Sequence, residues 1–245
     1  MTRLLALETA TDACSVALYS DGAVIELFEQ IPRQHSQRLL PMVQALLAKD
    51  VCKGEGLSAL VLGSGPGSFT GLRIAASCAQ GLAYAWALPA VAVSTLDVQV
   101  STAMREGLLV EGDIALSLID ANMGETYWGV YRVSNGRPEW LEGPGVSVPE
   151  HLQTFADYPA LVAVGSGARY FTEFAPALRE SIVSQYPDLL PHAQDLFPTA
   201  LTRYVEGELL KPHEIQPLYV RDEVSWKKLS EQGKPGKPGK RGSAS

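Results

Sequence analysis

The chain is poor in the residues that build covalent frameworks and metal centres. Of its 245 residues, only three are cysteine: Cys14, Cys52 and Cys78. Their odd number and wide spacing fit neither a disulfide framework nor a cysteine zinc site, and they read as apolar thiols in a reducing compartment. Only four histidines occur, His35, His151, His192 and His213. None has a second His or Cys within one helical turn, and His35 has Leu39 where a second ligand would stand. No resident metal is expected. The start, Met1-Thr2-Arg3-Leu4, lacks the pattern of a secretory signal, which predicts a cytoplasmic protein.

Charge is also missing where it would matter. Residues 74–96 contain no charged side chain. That length would span a bilayer, but the run is Ala-rich, holds Ser77 and Gln80, and breaks at Pro89. It reads as a buried helix followed by a strand. The net charge is −7, and the last 16 residues hold Lys234, Lys237, Lys240 and Arg241 against Glu231. That tail carries +3, so the remainder carries −10. Such an acidic body argues against broad capture of nucleic acid by this chain alone. The tail, residues 230–245, cannot bury apolar area and is expected to be disordered, as a solvated tail or in weak contact with RNA.

What is present is a glycine-rich string, Gly63-Ser64-Gly65-Pro66-Gly67-Ser68-Phe69-Thr70-Gly71-Leu72-Arg73. It follows the apolar run 59–62 and opens a helix-like run from Leu72 to about Trp86. A strand-to-helix turn of this kind is where α/β proteins bring backbone N–H groups to anions. No lysine follows its last glycine, so it is not a Walker loop. It also lacks the Gly-x-Ser-x-Gly spacing of a nucleophile elbow, and Ser68 or Thr70 reads as a helix N-cap.

Strand-like runs cover residues 3–7, 13–19 and 23–31, with Asp21-Gly22 as a hairpin turn. A helix over 36–49 follows, then the strand 59–62, the glycine turn and the next helix. The second half repeats this order. Strands 114–119, 126–133 and 137–141 precede a helix over about 149–155, the strand 161–164, and Gly165-Ser166-Gly167 before a helix-like run to Phe174. Each half reads β-β-β-α-β-α, with an acid ending its first strand (Glu8, Asp120) and a Gly-x-Gly turn after its fourth. The expected class is α/β, with two duplicated lobes. Lobe I spans 1–102, lobe II spans 103–198, and a C-terminal helix of about 199–211 packs back on lobe I.

Mirrored acids and glycine turns suggest a cleft for a nucleotide, formed by Glu8, Thr9, Asp120, Gly165 and Gly167. The first hairpin, however, lacks the glycine that lets a backbone approach a phosphate. Glu8 reads equally as an acceptor for backbone N–H groups or as a solvated strand end. Between Gly71 and Trp86 the only charge is Arg73, and small residues surround the helix axis. Such a helix is buried on more than one face, either within the chain or at a subunit interface.

Four further stretches complete the pattern: Leu4-Leu5-Ala6-Leu7-Glu8-Thr9-Ala10-Thr11, His35-Ser36-Gln37-Arg38-Leu39-Leu40-Pro41, Asp120-Ala121-Asn122-Met123-Gly124-Glu125-Thr126-Tyr127-Trp128 and Pro217-Leu218-Tyr219-Val220-Arg221. With the motif Gly65, Pro66, Gly67, Ser68, Phe69, Thr70 and Gly71, they resemble the TsaB family of bacterial tRNA threonylcarbamoyladenosine biosynthesis proteins. The resemblance runs over about residues 3–228. It implies the two-lobed actin-like ATPase (ribonuclease-H-like) fold and a non-catalytic subunit.

In that family the catalytic paralogue, TsaD, carries the metal-binding histidine pair. It transfers threonylcarbamoyl to adenosine next to the anticodon of tRNAs reading ANN codons. The ATPase TsaE joins the pair, so ATP, Mg and the metal belong to the partner complex and tRNA is met through it. The resemblance also implies that the first two helices of lobe I grip TsaD, and that the same surface forms homodimers. On this chain the contact would use His35, Arg38, Leu39, Met42, Val43 and Leu46 on the first helix. On the second it would use Arg73, Ile74, Ser77, Cys78, Gly81 and Leu82. Two positions depart from the family pattern, Glu8 for Asp and Ala75 for Gly. The rival reading is an actin-fold ATPase or small-molecule kinase with its own nucleotide site. A stand-alone metal hydrolase is a third.

Overall fold

A computed structural model describes residues 2–49 and 56–220. Cys52 and the basic tail lie outside the described residues.

Strand β1 (Arg3–Glu8) is buried along its whole length. It pairs antiparallel with β2 (Ala13–Ser20), which pairs antiparallel with β3 (Ala23–Gln30). The turn between β2 and β3 is Asp21-Gly22, both at positive φ. Helix α1 (His35–Lys49) then crosses to β4 (Ala59–Gly65), which lies parallel to β1. Helix α2 (Phe69–Trp86) crosses to β5 (Ala90–Ser94), parallel to β4. The sheet order is β3-β2-β1-β4-β5.

The second sheet repeats this plan. β6 (Ile114–Asn122), β7 (Glu125–Ser134) and β8 (Arg137–Ser147) form an antiparallel meander. β9 (Leu161–Val164) lies parallel to β6, and β10 (Ile182–Tyr186) lies parallel to β9. Its order, β8-β7-β6-β9-β10, matches the first strand for strand. The repeat therefore includes a fifth strand in each half.

Four expectations are corrected. The helix expected over 149–155 is a single 3-10 turn, Pro149–His151. The run after Gly167 is also 3-10, Ser166–Glu173, and it precedes the short α4 (Pro176–Ser181). The third correction is an added helix, α3 (Thr95–Arg105), which follows β5 directly. Its Val98 packs with the first sheet, while Leu96, Val100 and Ala103 pack with the second. Helix α3 is buried on nearly all sides, but Thr95, Asp97, Gln99, Ser101 and Thr102 are buried beside Leu96, Val98, Val100 and Ala103, so its apolar positions are masked by polar neighbours in the sequence. The last helix, α5 (Phe197–Glu206), ends at Gly207 in the left-handed conformation, earlier than the expected 211. Phe197 and Ala200 of α5 pack with Leu4, Ala6, Val61 and Val91. On the opposite face of that sheet, α1 and α2 cover Leu5, Leu7, Leu60 and Leu62.

Candidate functional site

The glycine string is built as a close contact with the β1–β2 connection. Ser68 caps α2: its Oγ accepts from Gly71 N at 3.3 Å, as N-cap chemistry favours. Its own N–H donates to the Ala10 carbonyl at 2.7 Å. A Cβ on Gly67 would stand 2.4 Å from Ala10 O, and one on Gly71 would stand 2.0 Å from Thr9 O. Thr9 Oγ1 donates back to Gly71 O at 2.8 Å. Only glycine admits that approach, and what approaches is the chain's own backbone. On the other side, Leu218 N donates to Ser64 O at 2.8 Å, laying the C-terminal segment across the end of β4.

The cleft residues do not form one open site. Glu8 is fully buried. Its Oε1 accepts from Ala10 N at 2.6 Å, and Thr95 Oγ1 lies 3.4 Å from Oε2. A side chain at Gly63 would fall within 1.8 Å of Oε2, so the carboxyl occupies the space that glycine leaves. Of the two sequence readings, the N–H acceptor holds and the solvated strand end does not. Burial outweighs these hydrogen bonds and pushes the Glu8 carboxyl up to about 7.

The second turn is filled in the same way. Gly165, at φ +93°, would place a Cβ 2.0 Å from Gln99 Nε2, and Gly167 would place one 2.5 Å from Thr126 Cγ2. Gln99 of α3 donates to Ser117 Oγ at 3.0 Å and Val164 O at 2.7 Å. Sequence reading missed this residue; its trace is an amide inside a run, Thr95–Ala103, with no charge but Asp97. Asp120 is half-buried at the end of β6. Its Oδ1 accepts from Asn122 N at 2.8 Å, and Arg169 Nη1 stands 3.7 Å from Oδ2. Burial and then the Asp120 charge push the Tyr170 hydroxyl up.

His35 is buried, with Nε2 3.1 Å from the Ala13 carbonyl, a packing role that leaves Leu39 free to enter the core. Among the described residues no group of three His, Cys, Asp or Glu side chains converges as a metal site. Among the described residues, no helix is long and apolar enough to cross a membrane. Burial raises the Cys14 thiol to about 12 and the Cys78 thiol to about 11, so both stay protonated.

The residues assigned to a partner surface divide in two. On α1, Leu39, Met42, Val43 and Leu46 are buried in the lobe's own core, so their side chains are already covered. The outward side of α1 instead shows Leu40, Gln44 and Ala45, beside Arg38, which pairs with Glu29 (Nε to Oε2, 2.8 Å). On α2, Arg73, Ser77 and Gly81 form an exposed i, i+4 row, flanked by half-buried Ile74, Cys78 and Leu82. Tyr84, at 82% exposed, and Trp86, at 39%, extend this face and were not singled out. A Cβ built on Gly81 meets nothing within 4 Å.

At the start of the same face, the Arg73 guanidinium lies 3.8 Å over the Phe69 ring and its Nε donates to Tyr219 Oη at 3.1 Å.

Comparison with known proteins places these features in context. A family model described as TsaD: tRNA N6-adenosine threonylcarbamoyltransferase matches residues 28–193. The chain is 41% identical over 234 residues to the tRNA threonylcarbamoyladenosine biosynthesis protein TsaB of Escherichia coli, covering 93% of this chain and 98% of that one. It is 33% identical over 234 residues to the TsaB of Haemophilus influenzae, covering 92% and 96%. The solved structure of YeaZ from Pseudomonas aeruginosa superposes with a TM-score of 0.83 at 37% identity, over 89% of this chain and all of that one.

Proposed function

The chain belongs to the TsaB family of tRNA threonylcarbamoyladenosine biosynthesis proteins, and from that premise we propose that it acts as a non-catalytic scaffold subunit. It takes part in tRNA threonylcarbamoyladenosine biosynthesis by binding the catalytic paralogue TsaD, and the ATPase TsaE joins the pair. The complex installs threonylcarbamoyl on adenosine next to the anticodon in tRNAs reading ANN codons. Alone, the chain forms a homodimer through the same face. ATP, Mg and the catalytic metal belong to its partners, it meets tRNA through them, and it works in the cytoplasm.

The observation that carries this reading is Gly81. An exposed glycine inside a helix costs about 1 kcal/mol relative to alanine. Among the described residues nothing lies within 4 Å of a Cβ built on it. Its use is then the close approach of another chain, beside Ser77 and between Arg73 and Tyr84.

The test is reconstitution of tRNA modification from purified subunits with and without this chain, together with TsaD affinity for Gly81→Leu. Modification that proceeds equally well without the chain overturns the scaffold role. Unchanged affinity for Gly81→Leu overturns the surface. The rival nucleotide site rests on the half-buried Asp120 with Arg169 and Tyr170. Calorimetry with ATP and Mg²⁺ decides it: micromolar binding lost in Asp120→Ala would revive it.

A further inference from the structure

Arg73 is the one charge on α2, and it stands in the helix's first turns, where the positive end of the helix dipole lies and where no acidic residue offsets it. Its described contacts are the Phe69 ring and the Tyr219 hydroxyl. Both neutralise nothing. Phe69 is 56% exposed and Tyr219 47%, so the cation is held in a fixed direction on an open surface. Phe69 lies on the same helix as Arg73, whereas Tyr219 comes from 146 residues further along the chain. Among the described residues the terminal guanidinium nitrogens meet no carboxylate.

The surroundings matter as much as the residue. Neither α1 nor α2 contains an Asp or Glu. Glu29, on the neighbouring β3, is already engaged by Arg38. A second copy laid face to face on these two helices would therefore bring Arg73 no carboxylate from either helix. It would bring another Arg73 to a face whose two helices hold no carboxylate. Covering an unpaired cation is costly, whereas a carboxylate set against a held guanidinium gives a directed, charge-assisted contact.

We propose that Arg73, held by Phe69 and Tyr219, is the specificity determinant of this face. It takes a carboxylate from a helix of a different subunit and thereby selects that subunit over a second copy of this chain. The inference rests on the scaffold reading above, and it adds the chemistry of the occupant. The occupant is a helix with small residues where it crosses Ser77 and Gly81, and an Asp or Glu about one turn beyond, against Arg73. Tyr219 and Phe69 act as positioning residues. They restrict the guanidinium before the partner arrives, which lowers the entropy lost on binding.

The experiment compares two dissociation constants for the full-length chain: with its own organism's TsaD by calorimetry, and with itself by sedimentation. Arg73→Gln is expected to weaken the TsaD complex at least roughly tenfold and Arg73→Glu at least roughly a hundredfold. The self-association constant is expected to stay within threefold or to tighten. Tyr219→Phe should weaken only the TsaD complex, and raising salt should weaken wild type more than Arg73→Gln. The chain's own Asp222 and Glu223 are controlled by Asp222→Asn with Glu223→Gln, expected to leave TsaD affinity unchanged or raised. Equal loss in both assemblies, full TsaD affinity in Arg73→Gln, or loss in the Asp222/Glu223 variant overturns this inference and leaves the scaffold role intact. Absence of any TsaD binding by the unaltered chain overturns both.

Discussion

The Thr9 hydroxyl donates a hydrogen bond to the Gly71 carbonyl at 2.8 Å, while the Thr9 carbonyl fills the space that a side chain at position 71 would need. The β1–β2 connection and the start of α2 are thus locked through backbone atoms on one side and a hydroxyl on the other. What resembles an anion loop is a joint between two parts of one lobe. That joint sets the direction of α2, and with it the row Arg73, Ser77 and Gly81.

Gly71→Ala is expected to destabilise the chain by roughly 2–3 kcal/mol, because the neighbouring backbone must move. Gly81→Ala should stabilise the free chain by about 0.5–1 kcal/mol, since its site is open. Urea unfolding of the two variants checks both signs. A Gly71→Ala midpoint equal to wild type would mean that the joint is loose.

Glu8 links stability to pH. The folded chain holds its proton to about pH 7, whereas an unfolded glutamic acid loses it near 4.5. Its contribution is fully present below pH 4.5, falls as pH rises through that window, and is gone above 7. Asp97, raised by burial to about 6 against its Thr199 hydrogen bond, acts in the same sense. Glu8→Gln should flatten the decline and stabilise the chain at pH 8 by on the order of 3 kcal/mol. Thermal melts of both proteins from pH 4.5 to 8 measure it, and parallel curves would refute it.

Gln99 ties α3 to the second glycine turn. Gln99→Met keeps the volume but leaves the Leu118 and Val164 carbonyls without their donor, which costs roughly 2–3 kcal/mol. Amide exchange should accelerate first around residues 164–168. Uniform exchange across both lobes would show that the turn is held by something else.

Asp195 is buried and accepts from Thr102 Oγ1 at 2.7 Å and from Arg105 Nε at 2.9 Å. Next to it, His192 stacks on Phe28 at 4.0 Å and shares Glu26 with Gln194. Burial opposes the Glu26 charge, but the His192, Ser15 and Gln194 hydrogen bonds outweigh it and hold that carboxyl below its usual range. Asp195→Ala should cost about 2 kcal/mol, kept modest by the solvent reaching Arg105. A denaturation midpoint within error of wild type would deny Asp195 an anchoring role.

The first lobe was legible because its signals are local. Alternation in β2, the Asp21-Gly22 turn and the apolar stripe of α1 each depend on residues a few positions apart. The duplicated order and the glycine string could be read for the same reason, and so could the family. The second lobe was harder. Its expected helices are 3-10 segments and its α4 has six residues, too brief to show a period. Helix α3 hides its apolar positions among the polar residues Thr95, Asp97, Gln99, Ser101 and Thr102, whose burial depends on contacts with both sheets.

The amino-acid order by itself determined which helices must be covered, since Leu39, Val43, Leu46 and the small residues of α2 cannot all face water. It did not determine what covers them. Folding turned Leu39, Met42, Val43 and Leu46 inward onto β1 and β4, and left Arg73, Ser77 and Gly81 outside. It also brought Tyr219 across 146 residues to Arg73. An apolar period records a demand for burial, whereas the identity of the neighbour depends on contacts between residues far apart in the chain, which no local pattern contains.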